Sequence, residues 1–153
     1  MNIQLLLFLL TPLLLGFLSG YFSQSGNTEW YKSLKKPKWN PPSWLFGPVW
    51  SILYLMMGYA SYRIYEKTKN PLPLVIYTIQ LTLNILWTPV FFRFHKIKLA
   101  LIIIGLLWLS IITTIFYFNK YDRIAALLLI PYILWVTFAS SLNGTILYLN
   151  PLK

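Results

Sequence analysis

Five apolar stretches, each about the 20 residues a membrane-crossing helix needs, divide almost the whole 153-residue chain between them. Cut at charges and prolines, they run roughly over 3–22, 44–65, 72–94, 99–118 and 124–148. A chain so divided has little left for a soluble domain. The expectation is an all-α integral membrane fold, a single domain built as a bundle of five transmembrane helices. With 58% hydrophobic and 10% charged residues, the composition lies well outside the soluble range. The first stretch could be read as a signal peptide, but no Lys or Arg precedes it and it is about twice as long as a typical apolar signal core, so it reads as a retained helix.

Most connections are short, and most of the ten prolines fall where the chain turns. Pro12, Pro48, Pro89 and Pro131 lie inside or near the starts of apolar stretches, where they should kink helices. The exception among the loops is residues 23–43. Its "WYKSLKKPKWNPPSW" holds three tryptophans, four lysines and three prolines between two oily helices.

A net charge of +10 raises the question of nucleic acid, but in a membrane chain the cations must be sorted by side. Five spans put Arg63, Lys67, Lys69, Lys120 and Arg123 on the face of the N-terminus. The opposite face carries Lys32, Lys35, Lys36, Lys38, Arg93, Lys96, Lys98 and Lys153. The richer face is expected to be cytoplasmic, which places the long first loop and the C-terminus there. Basic loops beside a bilayer are expected to meet anionic headgroups, not nucleic acid.

Ordinary catalytic chemistry is sparse. Glu29, Glu66 and Asp122 lie in three different loops at membrane edges, so no paired-carboxylate arrangement forms. No acid or histidine interrupts the spans as a proton relay would. His95, among Arg93, Lys96 and Lys98, could ligate a haem iron but reads better as a solvated loop side chain. The absence of cysteine excludes disulfides and thiolate metal sites, and no metal site is expected.

Information concentrates in the aromatic residues and in polar groups set deep in the spans. Trp30, Trp39 and Trp44 could be interfacial anchors. Trp50, Tyr54, Asn84, Trp87, Trp108 and Trp135 are deeper, where an unpaired donor is costly. Gln80, Asn84 and Trp87 share a helix face, as do Trp135, Ala139, Leu142 and Asn143. Two readings stand. The amides could be interhelical glue, or rings and amides together could line a pocket for a large planar apolar ligand.

The loop pattern W-Y-x-x-L-x-K-P-x-W-x-P-P, followed by "GPVWSILYLMMGYASY", "QLTLNILWTPVFF" and "IPYILWVTFASSLN", resembles the TspO family: bacterial tryptophan-rich sensory proteins and mitochondrial translocator proteins. The likeness covers about residues 16–150. It implies a five-helix bundle, often dimeric, whose first loop lies over the mouth of a pocket like a lid. It also implies binding of porphyrins such as protoporphyrin or haem-type tetrapyrroles as ligands, with no cofactor required.

Carried over by position, Tyr31 would be the loop contact, with Trp50 and Tyr54 from the second helix. Asn84 and Trp87 would come from the third, and Trp135, Ala139 and Leu142 from the fifth. Trp39, Gln80 and Asn143 join the candidate ligand-binding set from the lid and the shared faces. Some relatives break down protoporphyrin under light, with the tryptophans matching Trp50 and Trp135 implicated. Others are regarded as transporters of porphyrin or sterol.

Sterol binding is doubtful, because Leu142, Gly144 and Tyr148 stand where animal members carry Leu, Tyr and Arg, and both polar members are replaced. A homodimer is expected from the resemblance, and "GFLSG", with Gly16 and Gly20 one turn apart, offers a close-approach motif for it. The resemblance is compatible with a bacterial inner membrane or a mitochondrial outer membrane.

Overall fold

The computed structural model describes residues 2–24 and 28–151 and is helical throughout them. Helix α1 spans Ile3–Ser23, α2 Glu29–Ser33, α3 Ser43–Lys67, α4 Leu72–Thr88, α5 Ile97–Asn119, α6 Arg123–Leu128 and α7 Ile130–Leu149. A π-helical turn, Pro89–Arg93, prolongs α4. Lys153, counted above with the basic face, lies outside the described residues, as do loop residues 25–27.

Four helical stretches are long and apolar enough to cross a membrane: α1, α4 with its π turn, α5, and α6 with α7. Helix α3, the remaining one of the five expected, has 25 residues and the required length, roughly 37 Å at 1.5 Å per residue. Pro48, Ser51, Ser61, Tyr62 and Arg63 make it too polar to qualify by composition.

Two expected elements are subdivided. The first loop contains a helical turn, α2, started by Thr28, whose hydroxyl accepts from the Tyr31 N–H at 3.2 Å. The last stretch is broken at Leu129 into α6 and α7, because Pro131 has no N–H with which to continue the ladder.

Helix α5 is the spine. Ile97, Ala100, Ile104, Leu107, Ile111, Thr114 and Phe118 recur every three or four residues and are all buried. It packs on α4 and α7, while α1 runs along α3 at the periphery with only Pro12 and Ser23 buried.

Two prolines in spans leave a carbonyl without its usual donor, and a neighbouring helix meets each one. Pro12 cannot bond the Phe8 carbonyl, and that oxygen lies against Gly58 of α3, at a place that a Cβ would fill. Pro89 cannot bond the Ile85 carbonyl, which instead accepts from the Ser19 hydroxyl of α1 at 2.8 Å. Seams of this kind hold helices together where lipid supplies no hydrophobic drive.

Candidate ligand-binding site

At the N-terminal end of α1 the α1–α3 seam is closed, with Asn2 donating to the Tyr62 hydroxyl at 2.9 Å and Gln4 to that of Tyr65 at 3.2 Å. The last close approach is at Gly16, which lies directly against the Tyr54 ring. Beyond it the C-terminal half of α1 leans toward α4, where Ser19 holds Ile85 and the Arg93 guanidinium sits 4.8 Å from the Phe22 ring. The divergence leaves a cavity of about 1480 Å³ between α1, α2, α3, the end of α4 and α7. Its lining reaches the exposed side chains Phe17, Tyr21 and Trp44, so the cavity opens sideways between α1 and α3.

Aromatic rings make the walls. Trp50 and Tyr54, one turn apart on α3, stack at 5.6 Å, and Trp50 meets Trp135 of α7 edge to face at 6.4 Å. Opposite stand Trp87, Phe91 and Phe92, within 4.7–6.0 Å of one another. Tyr31 of α2 closes the roof, 5.1 Å from Phe92 and 6.3 Å from Phe91. Ala139, Leu142 and Asn143 complete the α7 wall.

Tyr31, Trp50, Tyr54, Trp87, Trp135, Ala139, Leu142 and Asn143 therefore share one cavity. Trp39, Gln80 and Asn84 do not line it. Trp39 is 48% exposed and rests against Phe138 of α7 at 5.6 Å. Asn84 and Gln80 form the layer beneath. The Tyr54 hydroxyl donates to Asn84 Oδ1 at 2.6 Å, Asn84 Nδ2 donates to the Tyr132 hydroxyl at 2.7 Å, and that hydroxyl donates to Gln80 Oε1 at 2.6 Å.

Asn143 is also engaged internally: it accepts from Trp87 Nε1 at 2.9 Å and donates to the Ile97 carbonyl at 3.2 Å. The amides thus orient the aromatic wall from behind. Trp108 is spent on another seam, donating to Thr137 at 2.8 Å. By contrast, Trp135 Nε1 is buried beside the cavity without a partner.

Sequence reasoning missed Phe91 and Phe92 as a pair, Phe46, and the whole α1 wall. In an α-helix two consecutive residues point about 100° apart, and it is the π turn that lets both phenylalanines bury on one side. Helix α1 carries only leucines, glycines and phenylalanines there, so no polar residue marks it.

The roof is fastened at three places. Trp30 stacks on His95 at 4.1 Å, and Trp39 meets Phe138. Between them, Asn150 at the end of α7 accepts from the Lys35 N–H at 3.0 Å and donates to the Lys35 carbonyl at 2.8 Å. His95 is exposed and lies outside the cavity lining. Over the roof, the Lys36 ammonium lies 4.6 Å from the Tyr31 ring, and burial pulls its pKa below the ordinary lysine value.

At the far end of the bundle Arg63 donates to Asp122 at 2.7 Å. Burial alone would raise the Asp122 carboxyl. The Arg63 bond and the N–H groups of Ile124 and Ala125 outweigh it and hold the group below the ordinary aspartate range. Among the described residues no three His, Asp or Glu side chains come together to hold a metal ion.

Comparison with known proteins agrees with the sequence pattern. The TspO/MBR family model matches residues 8–149. A "Tryptophan-rich protein TspO" of Chlorobaculum tepidum is 43% identical over 143 residues, covering 91% of this chain and 90% of the relative. "Protein CrtK" of Rhodobacter capsulatus is 40% identical, covering 80% of this chain and 79% of its own. The human "Translocator protein" is 38% identical over 141 residues, covering 89% and 83%.

Proposed function

The chain belongs to the TspO/MBR family of membrane proteins, and from that premise we propose that it is a membrane receptor binding porphyrins and similar planar lipophiles in the aromatic cavity. The observation that carries the reading is the cavity itself. Six rings, Trp50, Tyr54, Trp87, Phe91, Phe92 and Trp135, face about 1480 Å³ under a Tyr31 roof, and a flat tetrapyrrole presents faces that such rings stack on. The unpartnered Trp135 Nε1 supplies a donor for a ligand acceptor. The sideways opening suits ligands that partition into lipid, and the lysines near the roof suit anionic propionates.

In this reading α3 is the fifth span, its polar face turned to the cavity and the Tyr54–Asn84–Tyr132 layer, and the roof segment acts as a lid. The lid and the C-terminus face the cytoplasm, of a bacterium or of a cell whose mitochondrial outer membrane holds the protein. The protein works as a homodimer. Because Gly16 already packs on Tyr54 within the chain, the partner approaches α1 through its outward face beside Gly20. Sterol recognition is weak.

Titration with protoporphyrin in nanodiscs, read by tryptophan quenching in the dark, tests the assignment. Saturable binding is expected, weakened roughly 3- to 10-fold by Trp135→Phe or Phe91→Ala, the worth of one lost aromatic contact. Absence of saturable binding in the parent would overturn it.

A second reading, light- and oxygen-dependent porphyrin breakdown, is favoured by one observation: Trp50 and Trp135 both line the cavity with their rings 6.4 Å apart. Illumination of the same samples separates the two, since only this reading expects oxygen-dependent loss of porphyrin absorbance that requires Trp135. Porphyrin flux into sealed vesicles would mark a transporter.

A further inference from the structure

A second concavity, about 570 Å³, lies on the outside of the bundle between the C-terminal half of α5 and α6, at the end away from the lid. Ile112, Ile115 and Phe116 form one wall, and Asn119 continues that stripe to the helix end. Ala126, Leu127 and Ile130 form the other, with Arg123 at its outer end. Each stripe covers seven residues of rise, about 10 Å. The break at Leu129 sets α6 off from α7 and leaves the groove open, with Ile112, Phe116, Leu127 and Ile130 all exposed.

The two ends of the groove differ in charge. At the outer end, beside Arg123, the Lys120 ammonium is held 4.8 Å from the Phe116 ring and 4.7 Å from the Tyr117 ring. Among the described residues neither cation has an acidic partner. Asp122, adjacent in sequence, is engaged by Arg63 and by the N–H groups of Ile124 and Ala125. The inner end is wholly apolar.

We propose that this groove is a binding site for an anionic phospholipid, one acyl chain lying between α5 and α6 and the phosphate meeting Lys120 and Arg123. Charge complementarity selects the occupant: an apolar channel of acyl-chain length ending at two uncompensated cations matches a lipid with a net negative headgroup. The site is separate from the aromatic cavity, shares no lining residue with it, and does not depend on the porphyrin reading.

Native mass spectrometry of the purified full chain in detergent, with phosphatidylglycerol or phosphatidylcholine of identical chains, tests it. The parent should retain one phosphatidylglycerol per chain in preference to phosphatidylcholine. The double change Lys120→Gln with Arg123→Gln should weaken that retention by roughly 10- to 30-fold. Lys67→Gln with Lys69→Gln, which removes two cations of the same end, should leave it intact. Free glycerol phosphate should not compete, because it cannot fill the groove. Equal retention of the two lipids by the parent, equal losses in the two double variants, or full competition by glycerol phosphate would each overturn the proposal. Protoporphyrin titration of the Lys120/Arg123 variant, expected to match the parent, confirms that the chain is folded.

Discussion

The Ser19 hydroxyl of α1 donates to the Ile85 carbonyl of α4, the acceptor that Pro89 leaves without its helical donor. The bond joins α1 to the helix that ends in the aromatic wall. Removing it with Ser19→Ala strands a carbonyl in a low-dielectric site and should cost about 1–3 kcal/mol. In a Pro89→Ala background the helix regains its own donor, and Ser19→Ala should then cost much less. A double-mutant cycle by thermal or denaturant unfolding reads the coupling; additive losses would show that the hydroxyl does not serve this carbonyl.

Asn84 ties three helices through Tyr54 and Tyr132. Asn84→Ala should lower stability by roughly 1–3 kcal/mol, since it leaves two buried hydroxyls short of a partner. It should also weaken protoporphyrin binding by releasing the Tyr54 ring from the cavity wall. Tyr54→Phe keeps the ring and loses only the hydroxyl, so it should bind nearly as the parent while sharing much of the stability loss.

Asn150 pairs with both backbone groups of Lys35, and this pair fastens the middle of the roof. Asn150→Ala should speed ligand release in stopped-flow exchange, by about 5-fold if one net hydrogen bond of about 1 kcal/mol holds the roof closed. An unchanged release rate would mean that the stacks of Trp30 and Trp39 hold the roof unaided.

The depressed Asp122 carboxyl makes stability depend on pH in one direction. Its folded pKa lies below the unfolded value of about 3.9, so its contribution is present above that pH and is lost as pH falls through the folded value. Melting temperature should fall below about pH 4, and Asp122→Asn should flatten that part of the curve. The variant should also melt lower at neutral pH, because an amide is a weaker partner for Arg63.

Gly16 and Gly20 separate packing within the chain from association between chains. Gly16→Leu puts a side chain where the Tyr54 ring lies and should lower both melting temperature and ligand binding. Gly20→Leu should spare the fold and shift the monomer–dimer balance seen by light scattering. The same loss of stability from both changes would contradict the assignment.

Helix positions were legible because length and apolar content alone define a spanning segment. Eight site residues were legible because rings and amides at spacings of three and four share a face, as Trp135, Ala139 and Leu142 do. Asn84 and Gln80 share the Trp87 face, but one or two turns along that face is a different depth in the bundle, which spacing does not encode. The α1 wall was hidden because its contribution is the direction of a helix, set by Ser19 and Gly16, and not a side-chain type. The break at Leu129 turns on a single proline, and Pro12 and Pro48, equally visible, lie within continuous helices.

The π turn makes the site depend on residue count as well as on residue type. Five residues, Pro89–Arg93, occupy a stretch where the α-helical ladder would use one fewer. Deleting one residue there would restore ordinary phase and rotate everything downstream by about 100°. Phe91 and Phe92 could then no longer both face inward, and His95 would swing away from Trp30. A one-residue deletion that leaves every aromatic in place would therefore dismantle one wall of the cavity and one fastening of its roof together.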